Sequence, residues 1–224
     1  MLSCATIFAR TSLVRPALDT IQTATTDENS EYYYPKLLRK FMANDTTMND
    51  TAFQYFYYGA FFQEDYDPYR PSGNPDRQAE LAPLFNKKEL TRSERKQILD
   101  YAQDCLADNP LNLKQLTNLI FVYEQNRKYD LAKIWQYKLN HLLLVILSSG
   151  TGIDPENAWI VVYPQNEYEF LNLSGITAKE QRFEPPCDYI VVKPRTETSP
   201  KGYYFDISEI LHQYYLKHPS ELEE

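Results

Sequence analysis

The hydrophobic period of this chain changes once, at Gly150, and that change constrains the fold class more than any other feature. From residue 91 to 150 apolar residues recur every three to four positions. Ile98, Tyr101, Ala102, Cys105 and Leu106 form one helical face. Leu113, Leu116, Leu119, Ile120 and Tyr123 form a second, and Leu131, Ile134, Trp135, Leu139, Leu142, Leu143 and Ile146 a third. Thr91 followed by Glu94 is a capping-box pattern. Asp108-Asn109-Pro110 stops the first helix, because proline lacks the amide a helix needs, and Asn126 marks the next turn.

After Gly150 the residues become β-branched and aromatic. Residues 158–163 read as a strand, as do 177–183, 187–193 and 202–206, with Pro185-Pro186 and residues 196–201 as turns. Residues 167–173 read as a short helix. A final helix starts at Asp206 or Ser208, with Ile207, Ile210, Leu211, Tyr214 and Tyr215 inward. Short strands joined by close turns favour an antiparallel sheet. The expected class is α+β: a helical N-terminal and central part with a hairpin at about 91–149, a small antiparallel sheet at about 158–206, and a C-terminal helix.

Ahead of this block, Tyr32-Tyr33-Tyr34-Pro35 opens a helix, with proline at a first-turn position where no donor is required. Asn49 or Asp50 caps another that runs to about residue 63. Its apolar stripe is Phe53, Phe56, Tyr57, Ala60 and Phe61, and Gly59 inside it predicts a close backbone approach. Pro68, Pro71, Pro75 and Gly73 predict an irregular loop over 64–76, and a short helix is expected around 83–86. Residues 10–31 read as an extended lead-in with a short helix near 17–23. The expected domain is single and covers 32–218.

Residues 1–9, MLSCATIFA, carry no charge and are too short to span a bilayer. They match the apolar second half of an export signal ending at Ala9, without its basic start. The alternative is a frayed cytoplasmic terminus. The expected location is periplasmic or secreted in the first case and cytoplasmic in the second. Cys105 and Cys187 would pair only in an oxidising compartment; two isolated buried thiols are the simpler expectation.

Formal net charge is −8. An acidic surface repels phosphate, so nucleic acid is not an expected partner. Three cysteines and three histidines show no metal-ligand spacing, and no metal or cofactor is expected. Nineteen tyrosines and eleven phenylalanines suit interfaces and sugar-stacking surfaces as well as a core periphery.

Two resemblances follow from these residues. Pro110, then Leu116, Leu119, Tyr123, Tyr129 and Ala132, resemble a tetratricopeptide repeat (TPR), although Ile120, Gln136 and Leu139 depart from its pattern. One unit and a half cannot bury itself as a free solenoid, so the hairpin must pack on the rest of the chain. Tyr32 to Leu37, Tyr57-Tyr58-Gly59, Phe62 to Tyr69, Leu147 to Gly152, Ala158-Trp159, Cys187-Asp188-Tyr189 and Tyr203 to Ser208 resemble the domain of unknown function 4919 family, from about residue 30 to 217. The resemblance implies a protein of Bacteroides-like bacteria, many of whose members begin with an export signal. It implies no activity and no catalytic residue. Where the family often has histidine after Ala158-Trp159, this chain has Ile160.

The candidate ligand- or partner-binding residues are Tyr57, Tyr58, Glu64, Asp65, Tyr66, Asp67, Tyr69 and Arg70, which combine carboxylates, aromatic rings and a guanidinium in one short stretch. Ser148-Ser149-Gly150-Thr151-Gly152 lacks the lysine of a P-loop and reads as a helix C-terminal turn rather than an anion cradle. The leading functional expectation is a non-enzymatic cell-envelope protein that binds a protein or peptide through its TPR-like hairpin and tyrosine-rich surface. A glycan-binding or glycan-cleaving protein using Glu64, Asp65 and Asp67 is second, and a hydrolase built on Cys187 with a distant histidine is third.

Overall fold

The computed structural model describes residues 13–71, 73–87 and 89–222. The expectation for residues 1–9 lies outside them. The chain forms two compact units. The first contains residues 13–37, 49–69 and 142–222, and the second residues 38–48 and 70–141.

In the first unit the lead-in forms helix α1 (Leu18–Thr26). Helix α2 (Tyr34–Met42) begins here and ends in the second unit. Asn49 caps α3 (Asp50–Gly59) by accepting the amide of Ala52, and a 3-10 turn (Ala60–Phe62) extends it. A Cβ on Gly59 would lie 2.7 Å from Thr25 Cγ2, so glycine is what lets α1 and α3 approach. Phe53, Phe56, Tyr57, Tyr58 and Phe61 are buried along this helix and turn.

The sheet of the first unit has the order β1-β4-β3-β2, with β1 (Trp159–Ile160), β2 (Ala178–Glu184), β3 (Cys187–Val192) and β4 (Gly202–Asp206). It is mixed, not purely antiparallel: β1 pairs parallel to β4, with Trp159 opposite Phe205. The cause is connectivity. Helix α8 (Pro164–Leu173) and two further strands intervene between β1 and β4, so the chain can return in the parallel sense that a tight turn forbids. The other pairings are antiparallel, as expected. Trp159 anchors the sheet to α8 and β4. Its ring centroid lies 4.9 Å from Phe170, 5.0 Å from Tyr203 and 5.5 Å from Phe205. Helix α9 (Ser208–Lys217) closes the unit.

In the second unit the proline-rich stretch is less irregular than expected. Asn74 accepts the amides of Asp76 and Arg77, and Pro75 then opens α4 (Pro75–Leu81) from within the first turn. Proline here starts a helix because its fixed φ suits that position. Thr91 and Glu94 form both halves of the capping box on α5 (Arg92–Asp108). Helix α5 packs on α6 (Leu113–Gln125). Leu81, Leu90, Ile98, Tyr101, Cys105 and Val122 make a shared core. Helix α7 (Tyr129–Ser148) starts in this unit, and its last turns belong to the first. Lys138 of α7 is buried. Its ammonium donates to the carbonyls of Phe41 and Ala43, the end of α2, and sits 4.2 Å from the Trp135 ring centroid.

Candidate functional site

The sequence-nominated residues do not assemble into one site. Tyr57, Tyr58 and Tyr66 are buried. The Tyr57 hydroxyl donates to Asn166 Oδ1 at 2.9 Å and accepts the Val162 amide at 3.3 Å, while the Tyr66 hydroxyl donates to Val162 O at 2.6 Å. The two rings therefore pin the segment after β1 from the inside, and burial holds both phenols well above their ordinary pKa. Tyr58 donates toward Val145 O and Ile160 O. These three candidate binding residues are part of the core.

Glu64 and Asp65 are exposed. Asp67 turns back on its own loop and accepts the amide of Tyr69 at 3.0 Å. The loop is tied down by Lys217, whose ammonium donates to the carbonyls of Glu64 and Tyr66. Arg70 pairs with Asp108 at 3.0 Å. These carboxylates do not converge on an aromatic cleft. Of the eight, Tyr69 has the ring that stays half exposed, at 50%, edge-on to Tyr214 at 5.0 Å.

The glycine-rich turn after α7 is consumed internally. Thr151 N and Gly152 N both donate to Asn157 O, Gly150 O accepts the Trp159 indole, and Ser149 Oγ accepts the Ile160 amide. No amide of Thr151 or Gly152 is left to cradle an anion. Cys187 is a buried free thiol whose sulfur contacts Pro155 O at 4.0 Å; burial pushes its pKa up to about 11. A thiol held protonated is a poor nucleophile. Cys105 is likewise free and buried.

The chemistry that sequence reasoning missed lies between α8 and β3. Glu167 is fully buried, and both its carboxyl oxygens are out of reach of solvent and of any fixed donor in the structure. Its neighbour is the carboxyl of Asp188, within hydrogen-bonding reach. Two carboxylates cannot bond to each other, so Glu167 carries a proton and donates it to Asp188. Burial first, and the Asp188 charge second, push Glu167 up to about 9. Burial also raises Asp188, against the pull of two donors. One donor is Glu167. The other is Gln181 of β2, at 2.6 Å, whose carbonyl in turn accepts the Tyr168 hydroxyl at 2.9 Å. A one-dimensional pattern could have shown Glu167 only as an acid on the inward face of α8, beside Phe170 and Leu171.

This chain ends at the surface. Tyr168 is 41% exposed and Phe183, which faces Asp188 across the β2–β3 pair, is 57% exposed. Gln181 and Phe183 share a sheet face. Burial, and after it the Asp188 charge, raises the pKa of the Tyr69 phenol. Tyr69, Tyr168 and Phe183 are thus three exposed rings of the first unit, and Tyr168 is joined to the buried Asp188 carboxyl through Gln181. Among the described residues no cluster of three or more His, Cys, Asp or Glu is placed to hold a metal ion. No helix among them is long and apolar enough to cross a membrane.

A family model, DUF4919, described as a domain of unknown function, matches residues 19–216. No curated protein and no solved structure matches the chain.

Proposed function

This chain belongs to the DUF4919 family, a domain of unknown function, and from that premise we propose that it is a non-enzymatic protein of the cell envelope that binds a protein or peptide partner. The exposed aromatic surface of the first unit carries the reading: Tyr69, Tyr168 and Phe183 keep between 41% and 57% of their area in water. Large rings left exposed on a fixed frame supply contact area at little entropic cost, which is what interfaces use. The buried carboxyl pair supports binding over catalysis. Both Glu167 oxygens are closed to solvent, and carboxyls within one hydrogen bond are closer than the roughly 5–9.5 Å that glycosidases use.

The repeat-like spacing of α5, α6 and α7 gives the second unit a binding role of the same kind. The uncharged residues 1–9 support an envelope location. A glycan stacked on the same rings is the second reading, favoured by the tyrosine hydroxyls at the rim.

The test is capture from crosslinked cells with a C-terminally tagged chain, run in parallel with a Tyr168→Ser, Phe183→Ser double variant of matched thermal stability. The expected result is a specific protein captured by the wild type and lost from the variant, on a bait whose intact mass starts near Arg10. The same proteins captured equally by both would overturn the reading. Stabilisation of the wild type by an oligosaccharide, abolished in the variant, would move the surface to the glycan reading.

A further inference from the structure

The exposed edge of the sheet has a symmetry in its charges. Strand β2 is the terminal strand of the order β1-β4-β3-β2, and six of its seven residues are exposed. Its outer backbone groups are unpaired within the sheet, the situation that invites another strand. Glu180 and Arg182 project from one face and pair with each other at 2.9 Å, both more than half exposed. Natural edges often carry charge to repel partners. Here the charges alternate in sign about the midpoint of the strand, Gln181.

We propose that β2 pairs antiparallel with β2 of a second copy of this chain, about a two-fold axis through Gln181, joining two four-stranded sheets edge to edge. A two-fold perpendicular to the sheet must centre on a residue, because opposed side chains have to lie on one face. Centring on Gln181 sets Glu180 opposite Arg182 of the other copy, twice over, within the regular part of the strand that follows the register shift between Ala178 and Glu180. Centring on Glu180 puts two glutamates face to face. Centring on Arg182 opposes two arginines and sets Glu180 against Glu184. Centring on Phe183 runs Gln181 against Pro185, which has no amide to donate. Opposite charges directly across a pair stabilise it and like charges destabilise it, so one register survives.

This inference does not rest on the proposed partner: the contact is made by the backbone edge of β2, although Phe183 of that strand also belongs to the exposed rings. A single strand pair is small beside a stable interface of roughly 1,200–2,000 Å², so the dimer is of the transient class and grows with concentration.

Sedimentation equilibrium of the full chain at physiological salt tests it, using Glu180→Arg, Arg182→Glu and the double exchange, all at exposed positions where folding is unaffected. The wild type is expected to dimerise reversibly. Each single variant opposes like charges and weakens the dimer about tenfold or more. The double variant exchanges the two signs and restores it. A wild type that stays monomeric, a single variant that dimerises as the wild type does, or a double variant that fails to recover each overturns the proposal.

Discussion

Glu167 and Asp188 bring two carboxyls together inside the first unit, and burial beside Asp188 keeps Glu167 protonated. Asp188 also receives Gln181 Nε2 at 2.6 Å, while Glu167 has no other donor or acceptor within reach. Ionising Glu167 would set two negative charges side by side with water excluded, which is why its proton is held to about pH 9.

The pair makes stability fall with rising pH. Folded Glu167 holds its proton to about 9, and the unfolded chain releases it near the ordinary value of 4.5. Between those limits the folded state binds more protons, so this contribution is fully present below the unfolded value. It is lost as pH rises through about 9, at no more than about 1.4 kcal/mol per pH unit. Glu167→Gln keeps a donor toward Asp188 and removes the titration. Its melting temperature is expected to exceed that of the wild type at pH 8.5 and to vary less between pH 5 and 9. Superimposable melting profiles would contradict the shared proton.

Lys138→Met removes the donor to the carbonyl of Phe41 in the last turn of α2 and to that of Ala43 just after it. It leaves the buried carbonyl of Phe41 and the part-buried carbonyl of Ala43 without this partner, and it takes a cation from a helix C-terminus where cations are favoured. A loss of about 2 kcal/mol is expected by urea unfolding. A midpoint unchanged from the wild type would show that the ammonium contributes nothing there.

Gly150→Ala would place a Cβ 2.3 Å from Asn157 O and 2.6 Å from Ala158 O. Both are backbone atoms of the turn that binds Thr151 N and Gly152 N, so neither yields easily. The cost is expected at about 3 kcal/mol, the upper end for overpacking, read as a lowered melting temperature. A variant as stable as the wild type would mean the turn is looser than its geometry states.

The Cys187 thiol is expected to resist iodoacetamide at neutral pH in the folded chain and to react fully in urea. Burial and a pKa pushed to about 11 both oppose the thiolate. Fast native labelling, followed by mass spectrometry, would reopen a role for it as a nucleophile.

Local chemistry was legible in the sequence and pairing across distance was not. The Thr91–Glu94 box, the Asn49 cap and the Gly59 approach each depend on a few neighbouring residues or on the lack of one Cβ, and all three are present. The α+β class follows from the change of period at Gly150. Helix α4 is not legible from Pro75 as a helix breaker; Asn74 in front of it caps the helix and makes the proline an initiator. The parallel β1–β4 pair depends on connectivity that hydrophobic period does not encode. Helical spacing makes core the default for Tyr57 and Tyr58, but a hydroxyl suits water equally well, so the pattern alone leaves a binding role open; the partners of the buried rings, Val162 and Asn166 for Tyr57 and Tyr66, and Val145 and Ile160 for Tyr58, lie 87 to 109 residues away. Glu167 and Asp188 meet for the same reason, by folding and not by spacing.

The binding account is tested most directly by the affinity of the captured partner for purified wild type and for the Tyr168→Ser, Phe183→Ser double variant, measured side by side by calorimetry. The account predicts binding weakened about tenfold or more, since removing exposed interface rings costs on the order of 1–2 kcal/mol each, with the melting temperature little changed. Equal affinity for both proteins would contradict it and remove the aromatic surface as the site.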